Sequence, residues 1–177
     1  EYSVMIAKKL GFSKDRCEDL RKIALLHDIG KIGIPDNILK KPAGLTTEEY
    51  LLMKEHVIKG AEILKNFTHI ENVADGALYH HERYDGSGYA NGLKGKEIPI
   101  NARIIGLADA FDAMTANRVY RKKLDINIVI EELKKGKGSQ ASRSSEPQAS
   151  YVRPLSARNQ RWPETENRSC KSTHRRT

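Results

Sequence analysis

The stretch Leu20-Arg21-Lys22-Ile23-Ala24-Leu25-Leu26-His27-Asp28-Ile29-Gly30-Lys31 decides the fold class. Leu20, Ile23, Ala24 and Leu26 recur at three- and four-residue steps, the spacing of one helix face. Ser13 is an N-cap upstream of this run, and Gly30 is expected to end it. The apolar face carries His27 up against the core, with Asp28 beside it and Lys31 one turn further on. Imidazole and carboxylate are ordinary ligands for Mn, Fe or Zn, whereas a protonated lysine cannot ligate. Two ligands followed by a cation suggest a metal site facing an anionic substrate. A lone His-Asp pair at a helix end is more often a solvated terminus, so the reading depends on what the rest of the chain adds.

Working outward, the pattern stays helical. Val4, Met5, Ala7 and Leu10 mark a first helix closed by Gly11. Ile32 to Leu39 reads as a loop interrupted by Pro35. Thr46-x-x-Glu49 is a capping box, opening a helix to about Lys65 with Tyr50, Met53, Val57, Ile63 and Leu64 as its apolar face and His56 at that face's edge. Ile70, Val73, Ala74, Ala77 and Leu78 give the next helix, which His80-His81 end. Gly86, Gly88, Gly92, Gly95 and Pro99 make residues 82–100 a long ordered loop, and loops of that length inside a compact domain are usually functional. Asn101 is an expected cap for a helix through Ile104, Ile105, Leu107, Ala108, Phe111 and Met114, with Asp109 and Asp112 on it. A last helix runs from about Asp125 to Lys135. No strand is indicated, so the fold is expected to be all-α.

The chain of 177 residues suits one domain, and its composition shifts near residue 136. Residues 1–136 read as that domain. Residues 137–177 are rich in Ser, Arg, Asn, Gln and Pro, without periodic apolar residues, and are expected to be a disordered basic tail. Most of the net charge of +8 belongs to this tail. The remainder is nearly neutral, which excludes reading the basic pI as a nucleic-acid-binding surface. Cys17 and Cys170 have no C-x-x-C spacing and fit a reducing, cytoplasmic setting. No apolar run approaches the ~18 residues that a membrane helix needs.

His27, Asp28, His56, His80, His81 and Asp109 all fall at helix ends or on helix faces, leaving only His69 and His174 of the six histidines. Four histidines and two aspartates beside apolar faces suit a two-metal site in which one carboxylate bridges. Two metals lower the pKa of a shared water, so that hydroxide can attack phosphorus in line, with Lys31 offsetting the charge that grows on the phosphoryl oxygens. Arg118 and Arg121 lie one helical turn apart, the spacing of two side chains on one helix face.

The segments Leu26-His27-Asp28-Ile29-Gly30-Lys31-Ile32-Gly33-Ile34-Pro35 and His80-His81-Glu82-Arg83-Tyr84-Asp85-Gly86-Ser87-Gly88-Tyr89 closely resemble the HD-GYP family, a branch of the HD metal-dependent phosphohydrolases. Met53-Lys54-x-His56, Ile98-Pro99-x-x-Ala102-Arg103-Ile104, Ala108-Asp109-x-Phe111-Asp112-Ala113-Met114-Thr115 and Arg118-x-Tyr120-Arg121 extend the resemblance. It implies an HD-type helical bundle in a bacterial signalling protein, holding two or more divalent ions, with Fe or Mn favoured and Zn as the further option. The implied activity is hydrolysis of cyclic di-GMP to the linear dinucleotide or to GMP. By position, His27, Asp28, His56, His80, His81 and Asp109 are implied metal ligands, with Asp28 the bridge and Lys31 on the scissile phosphate. Tyr89, Arg118 and Arg121 match substrate-contacting positions.

This sequence departs from the family pattern in three places. Ala90 stands where the family has proline, which should loosen the loop rather than remove a ligand. The family's further first-helix ligand has no counterpart, because Glu1 falls just after that turn. An upstream receiver or sensor domain is the expected partner of such a helix. Beyond Gly138-Ser139-Gln140 the resemblance stops, and the remainder reads as an out-of-frame or fused sequence. The competing readings are another HD-type nucleotide phosphohydrolase and a catalytically impaired nucleotide-binding signalling module.

Overall fold

The computed structural model describes residues 1–116 and 123–135. The expected tail, and Arg118 and Arg121 with it, lie outside the described residues. Within them the regular structure is helical: α1 (Tyr2–Lys9), α2 (Lys14–Leu26), α3 (Asp36–Leu39), α4 (Thr47–Leu64), α5 (Val73–Tyr79), α6 (Ile100–Thr115) and α7 (Ile126–Lys135). Two short 3-10 turns, Ile29–Gly33 and Gly95–Glu97, lie between them. No strand occurs among the described residues, in agreement with the all-α expectation.

Local signals account for most of the boundaries. The Ser13 hydroxyl accepts the Arg16 amide at 3.3 Å, opening α2. At α4 both halves of the capping box are formed: Thr46 Oγ1 accepts from Glu49 N at 3.3 Å and Glu49 Oε2 accepts from Thr46 N at 2.7 Å. Asp125 Oδ1 accepts from Asn127 N at 2.9 Å at the start of α7.

Several expectations are corrected. The stretch Ile32–Leu39 holds the end of a 3-10 turn and the one-turn helix α3 rather than a loop. Helix α2 stops at Leu26, before Gly30. Helix α5 begins at Val73, not Ile70, because Asn72 takes a left-handed φ of 58°, which a helix cannot pass through. Pro99, not Asn101, caps α6, since its fixed φ suits the entry to a helix. Met5 and Leu10 are exposed because α1 meets its neighbours along the Ser3–Ala7 line. Ile63 is exposed because α4 buries the line His56, Gly60, Leu64.

The main core joins α1, α2, α5 and α6 through Ala7, Leu20, Ile23, Val73, Ala77, Ile104 and Ile105, with Leu64 from α4. Ile34, Ile38 and Leu45 form a smaller cluster under Tyr50 and Met53. Against α4 the heaviest packing comes from the 3-10 turn after Asp28 and from α5. Glycine makes the first of these approaches possible, and a second glycine does the same between α5 and α2. A Cβ on Gly30 would lie 1.9 Å from the His56 carbonyl oxygen and 2.4 Å from the Gly60 nitrogen. A Cβ on Gly76 would lie 2.1 Å from Ile23 Cγ2, where α5 crosses α2.

Gly30→Ala is therefore expected to force the Ile29–Gly33 turn off α4. Overpacking of this kind costs about 1–3 kcal/mol, which corresponds to a fall in Tm of roughly 5 °C or more. Thermal unfolding followed by circular dichroism checks this, and an unchanged Tm would show that the contact is not tight.

Candidate metal centre

The six expected ligands come from four helices. His27 caps the C-terminus of α2, and Asp28 follows it into the 3-10 turn. His56 lies in the middle of α4, His80 caps the C-terminus of α5 with His81 next to it, and Asp109 lies on α6. Gly30 seated on α4 draws Asp28 to His56. The buried line Val73, Gly76, Ala77 and His80 on α5 carries the remaining pair to the same point.

One ligand atom from each of Asp28, His56, His80 and His81 falls within 4.8 Å of the others. Asp28 presents its two oxygens to different neighbours. Oδ1 lies 3.5 Å from His56 Nε2 and 3.7 Å from His80 Nε2, whereas Oδ2 lies 3.4 Å from His27 Nε2 and 2.6 Å from Lys31 Nζ. His27 thus adjoins the four-residue cluster across the carboxylate. Asp109 lines the same cavity as His27, together with Tyr2, Ala24, Ile105 and Asp112.

Three of the histidines are held in one tautomer. His27 Nδ1 lies 2.7 Å from the Ala24 carbonyl oxygen, His56 Nδ1 2.7 Å from that of Met53, and His80 Nδ1 2.9 Å from that of Ala77. A carbonyl can only accept, so each Nδ1 carries the proton and each Nε2 keeps its lone pair. At the ends of α2 and α5 these bonds also use last-turn carbonyls that lack a helical partner. The Nε2 atoms of His56 and His80 then face each other at 3.5 Å. Two lone pairs at that distance call for a cation between or beside them. His27 Nε2 and Asp28 Oδ1 are buried without any hydrogen-bond partner. Oriented Nδ1–H groups, converging Nε2 lone pairs and a buried unpartnered carboxylate oxygen are the arrangement that metal-ligating histidines adopt. The residues present fit a divalent ion.

The electrostatics run the same way. Burial lowers the pKa of His27, with His80 adding to the effect. Burial likewise pushes His56 down to about 4, and His81 well below the ordinary imidazole value, where His80 and His56 contribute. Burial alone would raise the Asp28 carboxyl, but His80, His27 and Lys31 outweigh it and hold Asp28 far below the usual carboxylate range. Neutral imidazoles around an ionised carboxylate are the protonation states that a metal requires.

Tyr89, expected on the substrate side, stacks on His81 with ring centroids 4.9 Å apart and planes 24° apart. Lys54 Nζ lies 4.9 Å from the Tyr89 centroid and 4.5 Å from that of Tyr50. Sequence reasoning assigned no role to Glu82, which is 2% exposed. Its position directly after two ligands was the available signal. His69, set aside in the sequence, is exposed and lies outside the cluster.

A family model described as HD domain matches residues 1–142. The chain belongs to the HD domain family. It is 46% identical over 130 residues to a protein of Thermotoga maritima named cyclic di-GMP phosphodiesterase, covering 72% of this chain and 35% of that protein. It is 43% identical over 131 residues to the Xanthomonas campestris protein named cyclic di-GMP phosphodiesterase response regulator RpfG, covering 73% of this chain and 35% of that one. A solved HDGYP protein of Bdellovibrio bacteriovorus superposes with a TM-score of 0.60 at 26% identity, over 78% of this chain and 45% of the other. The HD-GYP resemblance read from the sequence agrees with these likenesses. The chain spans about a third of the length of the curated relatives it matches.

Because the folded-state pKa values of His27, His56 and His81 are depressed, these rings stabilise the metal-free chain fully above about pH 6.5. That stability is lost as pH falls from there toward 4, where folded His56 itself accepts a proton. Added Mn²⁺ should raise Tm at pH 7.5 and have little effect at about pH 3.5, below the pH at which folded His56 takes a proton on Nε2. Melting curves at both pH values, with Mn²⁺ and with chelator, check this. A Tm indifferent to Mn²⁺ at pH 7.5 would remove the metal reading.

Proposed function

We propose that residues 1–136 are the catalytic unit of a phosphodiesterase that hydrolyses cyclic di-GMP to the linear dinucleotide, to GMP, or to both. The observation that carries the proposal is Asp28, whose two carboxylate oxygens face imidazole Nε2 atoms on opposite sides, with a lysine ammonium on one of them. The names carried by the Thermotoga and Xanthomonas relatives support the substrate.

In this reading His27, Asp28, His56, His80, His81 and Asp109 would hold two divalent ions, Fe or Mn before Zn. Bound there, they supply Lewis acidity at the phosphate and a water that ionises near neutral pH. The chain's own residues do the rest. The Nδ1–H bonds of His27, His56 and His80 keep the Nε2 atoms aimed, so little reorganisation is needed when substrate arrives. Lys31 Nζ, beside Asp28 Oδ2, is placed to meet a non-bridging phosphoryl oxygen and offset its growing charge. Tyr89, flat against His81, is assigned to a guanine by its sequence position. Arg118 and Arg121 are assigned to the second phosphate or a guanine edge by their sequence positions.

A second substrate is favoured by one further likeness. The chain is 40% identical over 139 residues to a Vibrio cholerae protein named 3'3'-cGAMP-specific phosphodiesterase 2, covering 77% of this chain and 27% of that protein. Cyclic di-GMP and 3'3'-cGAMP present the same two-phosphate ring and differ in one purine. Side-by-side turnover of both, with Mn²⁺ and with Fe²⁺ under anaerobic conditions, separates these readings. Faster hydrolysis of 3'3'-cGAMP would reverse the assignment.

Two substitutions test the roles. Asp28→Ala should abolish metal binding and hydrolysis together, and turnover retained at more than a few per cent would overturn its role as a ligand. Lys31→Ala should retain the metals, by elemental analysis, while kcat falls roughly 10²-fold or more. An unchanged kcat would remove Lys31 from the mechanism.

A further inference from the structure

The segment after His81 runs out as a glycine-rich loop and returns to its own starting point. Three backbone amides of the returning part of the loop bond to His81 and Glu82, while the Asn91 side chain reaches Tyr79 Oη at 3.5 Å and the Gly95 amide the Tyr84 carbonyl at 3.0 Å. The Tyr89 amide donates to the His81 carbonyl at 3.3 Å. The Asn91 and Gly92 amides both donate to Glu82 Oε1, at 2.6 and 2.9 Å. Glu82 is 2% exposed, so this carboxylate is a buried post inside the loop rather than a surface group. Gly88 shows how closely the loop is drawn in. A Cβ there would lie 2.3 Å from the Arg83 nitrogen and 2.5 Å from Glu82 Cα. Gly92 takes a φ of +71°, which turns its amide inward to the carboxylate. The outer part of the loop is organised separately: Asp85 Oδ1 accepts from Ser87 N at 2.9 Å, and Arg83 donates to Ser87 Oγ at 2.7 Å.

Buried carboxylates are costly unless hydrogen-bonded, and bonds from backbone N–H to an ionised oxygen are stronger than neutral ones. Two such bonds on one oxygen close a ring of residues 82–92. Tyr89 is enclosed in that ring, and its phenol ring is thereby set on His81. Ala90, between Tyr89 and the anchor, lacks the φ restriction of a proline. The carboxylate therefore adds to the hold that the Tyr89 amide has on the His81 carbonyl.

We propose that Glu82 is a positioning residue for substrate. It does not touch the reacting atoms; it clamps the loop through the Asn91 and Gly92 amides so that Tyr89 is fixed against the ligand His81. This rests on the cyclic-dinucleotide reading above. A small diester such as bis(p-nitrophenyl) phosphate has no guanine for Tyr89 to hold, so it reports on the metal centre alone.

The experiment compares Glu82→Ala, Glu82→Gln and Gly92→Ala with the parent chain. Glu82→Ala should raise KM for cyclic di-GMP at least 10-fold while metal content and the rate on bis(p-nitrophenyl) phosphate stay within about two-fold. Glu82→Gln, which keeps a carbonyl acceptor, should recover most of the KM. Gly92→Ala strains an exposed left-handed position from the loop side with the carboxylate intact. It should reproduce the KM increase even if Glu82→Ala folds poorly. Amide exchange gives a readout independent of turnover: Asn91 and Gly92 should exchange at least 10-fold faster in Glu82→Ala. Equal exchange, an unchanged KM, or parallel loss on both diesters would each overturn the proposal. A parent chain that hydrolyses neither diester refutes the phosphodiesterase reading instead, and amide exchange then decides the clamp by itself.

Discussion

The structure depends on the backbone of one turn lying directly on the backbone of a helix. Gly30 rests on α4 at His56 and Gly60, where no side chain could be accommodated, and Gly60 in turn faces Ala77 of α5. Three segments distant in sequence are brought together by the absence of side chains. Asp28, two residues before Gly30, reaches His56 for this reason, and His80 arrives through the same α4–α5 contact. Helix packing distances are ordinarily 8–10 Å between axes. A glycine seam allows closer approach, and the carboxylate here needs it to face three imidazoles.

Around that seam the chain arranges charge with little redundancy. Three histidine rings are oriented by carbonyl oxygens of their own helices, so that orientation is local and independent of neighbouring side chains. What is shared is the space into which their Nε2 atoms point. Burial disfavours the charged form of His27, His56 and His81, while the histidines and Lys31 keep Asp28 ionised. The result is a donor set that is internally repulsive in part, with facing lone pairs at 3.5 Å. Such a set is stabilised by a cation, which couples occupancy of the site to the stability of α2, α4 and α5.

The loop after His81 is built differently. Positions 83–92 have no regular secondary structure, and their order comes from bonds between side chains and backbone within the loop. Glu82 contributes most through its two amide contacts. Placing the anchor directly after His80 and His81 links the loop to the metal centre without an intervening flexible segment. Tyr89 can then lie flat on a ligand ring rather than wander over the surface.

The sequence by itself determined the helical class, the capped starts of α2 and α4, and the list of candidate ligands, because periodicity, capping and residue chemistry act over a few neighbouring positions. It misjudged the start of α5, the cap of α6 and the faces of α1 and α4. Those depended on one left-handed Asn72, on Pro99 and on which side of each helix met a neighbour. Only the tertiary structure decided that Asp28 divides its oxygens between His27 and the His56–His80 pair, and that Tyr89 stacks on His81. It also decided that Glu82, silent in the sequence, is buried under the loop. Apart from the adjacent His27 and Asp28, these contacts join residues distant in the chain, Asp28 with His56 and His80 above all, and are set by how closely Gly30, Gly60, Gly76 and Gly88 let backbones approach. The sequence shows where those glycines are; the packing alone decides what each of them touches.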